Sequence, residues 1–192
     1  MKRYDIYLVG VGGQGVMTIA DMIISAAAEN GVSASFLPYK GMAQRGGFCK
    51  AELRLGGSGV GTAIPQRGAD LVISMELSES LKALPYLKKG GEFVVLNKRF
   101  APTAVMLGKA PYPALDQVRA IAEQAEVKMV SVDPAGVPGG GAENIYLLAA
   151  ALRHSRLCDV VSPEAVKQAI VNRWPKGAER NLSSFNAGYQ AE

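Results

Sequence analysis

The fold is decided by residues 5–15, which read Asp-Ile-Tyr-Leu-Val-Gly-Val-Gly-Gly-Gln-Gly. The first six of these form a short, mostly apolar run ending at glycine, which is typical of a buried strand. From Gln14 to Asn30 apolar residues recur at helical spacing, and Gly31 follows where a helix can close. The GxGxxG motif at residues 10–15 therefore lies between a predicted strand and a predicted helix, the context that it requires.

Each position of this glycine loop has a physical reason. Gly10 permits the tight turn, Gly12 lets the backbone approach a ligand, and Gly15 allows close packing of helix on strand. The start of the helix offers free N–H groups and a positive dipole end to an anion. We therefore take as candidate ligand-binding residues Gly10, Gly12, Gly13, Gln14 and Gly15. The alternative left open is a turn that only packs the helix onto the sheet.

Strand and helix patterns alternate along the rest of the chain. Further strands are predicted at residues 32–37, 48–55, 60–64, 71–75, 93–96 and 127–132. Further helices are predicted at residues 78–87, 115–125 and 142–153 and after the capping pair Ser162-Pro163. This alternation predicts an α/β protein, a Rossmann-like three-layer fold with a mainly parallel sheet, in one domain spanning residues 1–192.

Glycine and proline set three local details of this prediction. Gly-Gly-Ser-Gly at 56–59 turns the chain toward a return strand at 60–64, so an inserted β-hairpin is expected there. Pro38 is expected to stop the second strand. Lys-Lys-Gly-Gly at 88–91 is expected to close the helix at 78–87, with its cations near the negative end of the helix dipole.

A second glycine-punctuated segment, residues 40–47, reads Lys-Gly-Met-Ala-Gln-Arg-Gly-Gly. It follows the second strand, so we expect it at the same carboxyl edge of the sheet as the first loop, where open α/β sheets bind ligands. Arg45 can present a planar fork of donors to a phosphate or carboxylate, or it can brace the loop on backbone carbonyls. Gln44, Arg45 and Gly46 are candidate cofactor-binding residues.

The second strand argues against a nicotinamide cofactor. Such a site needs an acidic residue about 20 residues after the glycine loop, to hold the ribose hydroxyls. Residues 36–40 read Phe-Leu-Pro-Tyr-Lys, with no Asp or Glu. Because this acidic residue is missing, a stand-alone nucleotide-binding dehydrogenase or regulator is only the second hypothesis. A scaffold whose glycine loops make only protein contacts is the third.

Composition excludes several classes of protein. The 192 residues are 48% hydrophobic and 20% charged, which is ordinary for a packed globular protein. Cys49 and Cys158 are the two cysteines, far apart in sequence, so we expect neither a disulfide framework nor a metal site. An iron–sulfur cluster takes about four thiolates, more than this chain has.

Charge and hydropathy narrow the classes of molecule that the chain could bind. The net charge of +4 is scattered, with no basic run interleaved with aromatics, so we expect no nucleic acid. The apolar runs fall short of the ~20 residues of a membrane span, and no signal-peptide core is evident, which predicts a soluble cytoplasmic protein without a membrane partner. We assign no catalytic residue. Glu76 is the better candidate for a site-facing carboxylate, although it falls at a predicted helix start, where acidic residues are favoured anyway. His154 is expected at a helix end on the surface.

The two glycine segments together carry a resemblance. Gly-Val-Gly-Gly-Gln-Gly at 10–15 followed by Gly-Met-Ala-Gln-Arg-Gly-Gly at 41–47 resembles the gamma-type domain of 2-oxoacid:ferredoxin oxidoreductases. Within that family, Met-Ala-Gln-Arg-Gly-Gly at 42–47 is most similar to the small subunit of the indolepyruvate type. The resemblance spans essentially the whole chain and continues at residues 68–76, 84–91, Asn144, Asn181 and 185–188.

The resemblance implies a division of labour. A larger partner subunit would bind thiamine diphosphate and iron–sulfur clusters, decarboxylate the 2-oxoacid and pass electrons to ferredoxin, with coenzyme A accepting the acyl group. The gamma-type domain would pack on that subunit and help to shape the coenzyme A side of the site. It implies no cofactor held by this chain alone, coenzyme A as the candidate ligand of the glycine loops, an inactive isolated chain, and a complex that can be a dimer of heterodimers.

Overall fold

The computed structural model of the chain describes residues 2–41, 47–57, 61–101, 103–109 and 111–192. The strands are β1 Tyr4–Val11, β2 Ala34–Lys40, β3 Phe48–Leu55, β4 Ala69–Ser74, β5 Leu87–Leu96 and β6 Lys128–Val132. The α-helices are α1 Val16–Glu29, α2 Leu77–Ala83, α3 Thr103–Met106, α4 Leu115–Gln124, α5 Glu143–His154, α6 Pro163–Arg173 and α7 Ala178–Tyr189.

The strands form one sheet in the order β2-β3-β1-β4-β5-β6. β1, β4, β5 and β6 run parallel, whereas β3 is antiparallel to both of its neighbours. Because β2 and β3 are consecutive antiparallel neighbours, they form the hairpin inserted into an otherwise parallel sheet. The predicted Rossmann-like α/β fold is confirmed.

The predicted hairpin partner of residues 48–55 is wrong, because these residues pair with β2 and not with a return strand at 60–64. Residue 60 lies outside the described residues, and residues 61–64 form no strand. Both edges of β3 are already paired, with β1 and with β2, so no edge is left for a return strand. The segment is instead held by side chains, since the Ile64 N–H donates to Glu52 Oε2 at 2.6 Å.

Proline explains two further differences from prediction. Pro38 does not stop β2; it lies within the strand opposite Ala51, because β2 is the sheet edge, where a missing N–H is tolerated. The helix predicted at 78–87 ends at Ala83, because Pro85 cannot continue an α-helix and forms a 3-10 turn. Residues 88–91 therefore begin β5 rather than closing a helix.

Alternation along the strands buries both faces of the sheet. In β1, Ile6 and Leu8 face the core beneath α1, α5, α6 and α7, whereas Tyr7 and Val9 face the core beneath α2 and α4. Helices on both faces make the three predicted layers. The polar segment after Trp174 forms the helix α7, which packs on α5. A Cβ on Gly188 would lie 2.0 Å from the Tyr146 carbonyl oxygen, so only glycine permits this approach.

A buried ion pair ties β1 to β3 at the amino end of β1. Arg54 Nε and Nη2 donate to Asp5 Oδ1 and Oδ2 at 3.1 and 3.0 Å, a two-point contact in which both side chains are buried. Arg54 Nη1 also donates to the Ala63 carbonyl at 3.0 Å. This end of the sheet is therefore braced by charge, far from the glycine loops.

Candidate functional site

The first glycine loop joins the carboxyl end of β1 to α1. Gly13 and Gly15 have φ of +102° and +85°, backbone conformations that side-chain-bearing residues rarely adopt. α1 begins without a side-chain cap. The N–H groups of Gly13, Val16 and Met17 have no hydrogen-bond acceptor among the described residues. The loop therefore presents uncapped donors at a positive helix end, which suits an anion.

Gln14 braces the loop from within. Its Oε1 accepts a hydrogen bond from the Val11 N–H at 2.7 Å, and its Nε2 donates to the Met75 carbonyl at 3.3 Å. The side chain thus fastens the turn to the end of β4. A direct contact of Gln14 with a ligand stays a prediction.

The three glycines whose surroundings are described have different roles. A Cβ on Gly10 would lie 2.8 Å from Val16 Cγ2, and one on Gly15 would lie 2.4 Å from Asn144 Nδ2. These two positions are glycine because helices α1 and α5 pack tightly against them. A Cβ on Gly13 would meet nothing within 4 Å, so Gly13 borders open space.

The two glycine segments meet, as their order in the sequence predicts. The Gly12 N–H donates to the Gly47 carbonyl at 2.8 Å, and the Gly41 N–H donates to the Phe48 carbonyl at 2.9 Å. Both ends of the second segment therefore lie at the carboxyl edge of β1. Gln44, Arg45 and Gly46 lie outside the described residues, so their part in the site stays a prediction.

A cleft of about 310 Å³ opens between these segments. It is lined by Val11, Gly12, Gly13, Gly15, Val16, Met17, Gly41, Gly47, Phe48 and Cys49. Its volume is at the lower end of the roughly 300–1,000 Å³ of ligand pockets. Backbone donors on one side and apolar walls on the other suit a phosphate carried on a larger organic ligand. Met17 and Phe48 were not predicted, although Phe48 directly follows the second segment.

The order of the strands weighs against a dinucleotide. In the Rossmann arrangement the second strand lies beside the first, and its end holds the ribose. Here β3 lies between β1 and β2, so the end of β2 is about two strand spacings, roughly 9–10 Å, from β1. The missing acid and the displaced strand point to the same conclusion.

Glu76, the better candidate for a site-facing carboxylate, does not line the cleft and instead lies at a helix start, where acidic residues are favoured. It is fully buried and caps α2, accepting hydrogen bonds from the Glu79 N–H at 2.8 Å and the Ser78 hydroxyl at 2.7 Å. The Phe100 N–H donates to its other oxygen at 3.0 Å, and the Tyr112 hydroxyl also donates to that oxygen. Burial, followed by the Glu76 carboxylate, raises the pKa of Tyr112. With four donors the carboxylate is structural.

Other chemistry-bearing groups lie away from the cleft. His154 is at the end of α5, as predicted, with Nε2 2.7 Å from the Ala191 carbonyl oxygen. Among the residues that the structure describes, no three or more His, Cys, Asp or Glu side chains are arranged to hold a metal ion. In the same residues we find no helix with the length and apolar character needed to cross a bilayer.

Comparison with known proteins gives a consistent result. The family described as pyruvate ferredoxin/flavodoxin oxidoreductase matches residues 5–191. Indolepyruvate oxidoreductase subunit IorB of Pyrococcus horikoshii is 31% identical, over 100% of this chain and 96% of that protein. The 2-oxoglutarate synthase subunit KorC of Methanocaldococcus jannaschii is 27% identical, over 98% and 93% of the two chains.

Solved structures share the fold. Pyruvate oxidoreductase subunit PORC of Thermotoga maritima superposes with a TM-score of 0.73 at 21% identity, covering 100% of this chain and 97% of that one. The 2-oxoglutarate:ferredoxin oxidoreductase of Magnetococcus marinus, solved with 2-oxoglutarate, coenzyme A and succinyl-CoA bound, gives a TM-score of 0.73 at 18% identity. That alignment covers 98% of this chain and 31% of the other.

Proposed function

Because the chain belongs to the pyruvate ferredoxin/flavodoxin oxidoreductase family, we propose that it is the small subunit of an indolepyruvate oxidoreductase. The observation that carries this choice of substrate is 31% identity to IorB along the whole chain. KorC, a relative named for 2-oxoglutarate, is 27% identical over nearly the same length. Residues 1–192 would act as one gamma-type domain, in the cytoplasm.

The chain is a small subunit of a 2-oxoacid:ferredoxin oxidoreductase and works in a complex with a larger subunit. A stand-alone dehydrogenase or regulator finds no support. The relatives named above are subunits or longer oxidoreductase chains, and the end of β2 lies too far from the glycine loop for a shared ribose.

We assign the cleft to a phosphate group of coenzyme A. The uncapped N–H groups of Gly13, Val16 and Met17 would receive the anion, and the apolar wall at Phe48 would border the organic part of the ligand. Arg45, in the neighbouring segment, would add a bidentate contact. The cleft volume of about 310 Å³ suits one portion of such a ligand, so the remainder would lie outside the cleft.

The remaining chemistry would belong to the larger subunit. With two cysteines in the whole chain, iron–sulfur clusters have too few thiolates here. Thiamine diphosphate in the larger subunit would supply the carbanion chemistry of decarboxylation. Ferredoxin would receive electrons through the complex, which we propose to be a dimer of heterodimers.

The test is reconstitution. The chain is purified with its natural larger subunit, and kcat/KM is measured with indolepyruvate, pyruvate and 2-oxoglutarate, with ferredoxin and coenzyme A present. We expect activity from the complex and none from the isolated chain, with indolepyruvate preferred. Oxoacid-dependent ferredoxin reduction by the chain alone would contradict the division of labour. A preference for pyruvate or 2-oxoglutarate would contradict only the substrate.

A further inference from the structure

The segment 97–112, which makes up most of the connection between β5 and α4, exposes apolar side chains at the same sheet edge as the cleft. Residues 102 and 110 of this segment lie outside the described residues. Phe100 is 44% exposed, Met106 68% and Leu107 62%. Single exposed apolar side chains are ordinary on protein surfaces. These three, however, are half of the six large apolar side chains exposed in the described part of the chain, and they share one short connection.

Polar contacts, not these side chains, hold the connection in place. The buried Glu76 carboxylate accepts from the Phe100 N–H at 3.0 Å and from the Tyr112 hydroxyl, near the two ends of the connection. The Leu77 N–H donates to the Lys98 carbonyl at 3.2 Å. The backbone is therefore anchored from below while Met106 and Leu107 project outward. An anchored backbone can display an apolar surface without a large loss of entropy on binding.

The connection is also basic. It contains Lys98, Arg99 and Lys109 and neither Asp nor Glu. Lys98 Nζ lies 2.6 Å from the Glu143 carboxylate, and the Arg99 guanidinium lies 4.4 Å from the centre of the Tyr112 ring. Within the described part of the chain, Arg99 and Lys109 make no ion pair. A surface complementary to this one would be apolar at its centre and bordered by carboxylates.

Its position joins this surface to the cleft. Glu76, which anchors the connection, follows Met75, whose carbonyl accepts the brace from Gln14 of the glycine loop. A protein seated on residues 97–112 would therefore lie over the carboxyl edge of the sheet, beside the cleft. Under the proposed function the thiamine diphosphate lies in the larger subunit, so a ligand held in the cleft would be presented to that subunit at this edge of the sheet.

We propose that residues 97–112 are the docking surface for the larger subunit, through an apolar patch bordered by carboxylates on that subunit. This inference rests on the proposed function. The rival occupant is a second copy of this chain. That copy would bring the same basic residues against one another, which complementary charges on a different partner would avoid.

The test compares paired substitutions in the assembled complex. Met106→Glu with Leu107→Glu places two charges in the surface. Ile121→Glu with Val171→Glu is the matched control, on apolar residues of α4 and α6 that are 41% and 36% exposed. The Kd for the natural larger subunit is measured for each. We expect the first pair to weaken binding by at least about tenfold and the control to change it by less than about twofold.

A charge-reversal variant and a measurement of self-association separate the apolar from the electrostatic contribution and the larger subunit from a second copy of this chain. Reversing Arg99 and Lys109 to Glu should slow association and flatten its dependence on salt, because rim charges act mainly on the association rate. An unchanged Kd for the Met106/Leu107 variant, with wild-type assembly intact, would overturn the docking surface alone. A variant that loses only self-association would overturn the choice of occupant. Failure of the wild-type chain to bind any larger subunit would overturn the surface and the proposed function together.

Discussion

Alanine substitutions at Gly13 and Gly15 should separate packing from ligand binding in the first glycine loop. Both residues have positive φ, which costs a side-chain-bearing residue about 1–2 kcal/mol. At Gly15 the new Cβ would also lie 2.4 Å from Asn144 Nδ2, an overpacking that costs about 1–3 kcal/mol more. We therefore expect losses of about 2–5 kcal/mol for Gly15→Ala and about 1–2 kcal/mol for Gly13→Ala.

The free energy of unfolding in urea measures the packing part. Gly15→Ala is combined with Asn144→Ala in a double-mutant cycle, because the shorter side chain relieves the clash. We expect the double variant to be more stable than the sum of the single effects by about 1 kcal/mol or more. The same cycle between Gly13 and Asn144 should be additive. If Gly15 and Asn144 prove additive, the close contact that we infer between α1 and α5 is refuted.

The KM of the complex for coenzyme A measures the binding part. Gly13→Ala places a methyl group at the cleft and should disturb the anion contact. Loss of a hydrogen bond to a charged group costs about 1.5–3 kcal/mol, so we expect the KM for coenzyme A to rise by roughly 10- to 140-fold. Gly31→Ala is the matched control, since Gly31 has φ of +68°, meets nothing within 4 Å and lies at the other end of α1. An equal KM in the two variants would refute a ligand role for the loop and favour packing alone.

Three further predictions follow from the site and the core. Arg45→Ala should raise the KM of the complex for coenzyme A and leave its thiamine content unchanged. The control Arg119→Ala, on the exposed face of α4, should change neither. An unchanged KM in the Arg45 variant would count against Arg45 as a ligand contact. Iodoacetamide should alkylate the exposed Cys158 before the buried Cys49. Partial burial of the thiol, followed by a neighbouring carboxylate, raises the pKa of Cys158. Its alkylation rate should therefore keep rising with pH beyond the range of a free thiol, and a plateau near pH 8 would contradict this. Asp5→Ala should leave a buried guanidinium without its carboxylate and lower the free energy of unfolding by about 3–5 kcal/mol, so a loss below about 1 kcal/mol in urea would contradict the ion pair.

Errors in the predicted elements arose where a local signal met a non-local constraint. Pro38 is a strand breaker in a central strand and harmless in an edge strand, and only the strand order shows that β2 is an edge. The segment at 60–64 has a plausible strand pattern, but its intended partner β3 is occupied on both sides. Pro85 was a usable signal, since proline inside a predicted helix argues for an earlier end.

In the candidate site, too, features with a local signal were predictable and features that depend on distant contacts were not. The meeting of the two glycine segments was predictable, because loops after parallel-running strands lie at the same edge of a sheet. The role of Glu76 was not, since two of its partners, Phe100 and Tyr112, are distant in sequence. The position of Met17 at the cleft wall was not predictable either, because an apolar residue in a helix is as easily part of the core as of a ligand site.

Local patterns and composition were enough to predict the α/β class and the glycine turn between β1 and α1, and the two cysteines are fewer than the roughly four thiolates of an iron–sulfur cluster. These depend on local periodicity, backbone freedom and composition, which need no knowledge of distant contacts. The folded chain was needed to show that β3 separates β1 from β2, that Glu76 anchors a connection rather than a ligand, and that Asn144 lies where a Cβ on residue 15 would be. These depend on which surfaces the folded chain brings together, and pairing between residues far apart in sequence leaves no local pattern to detect.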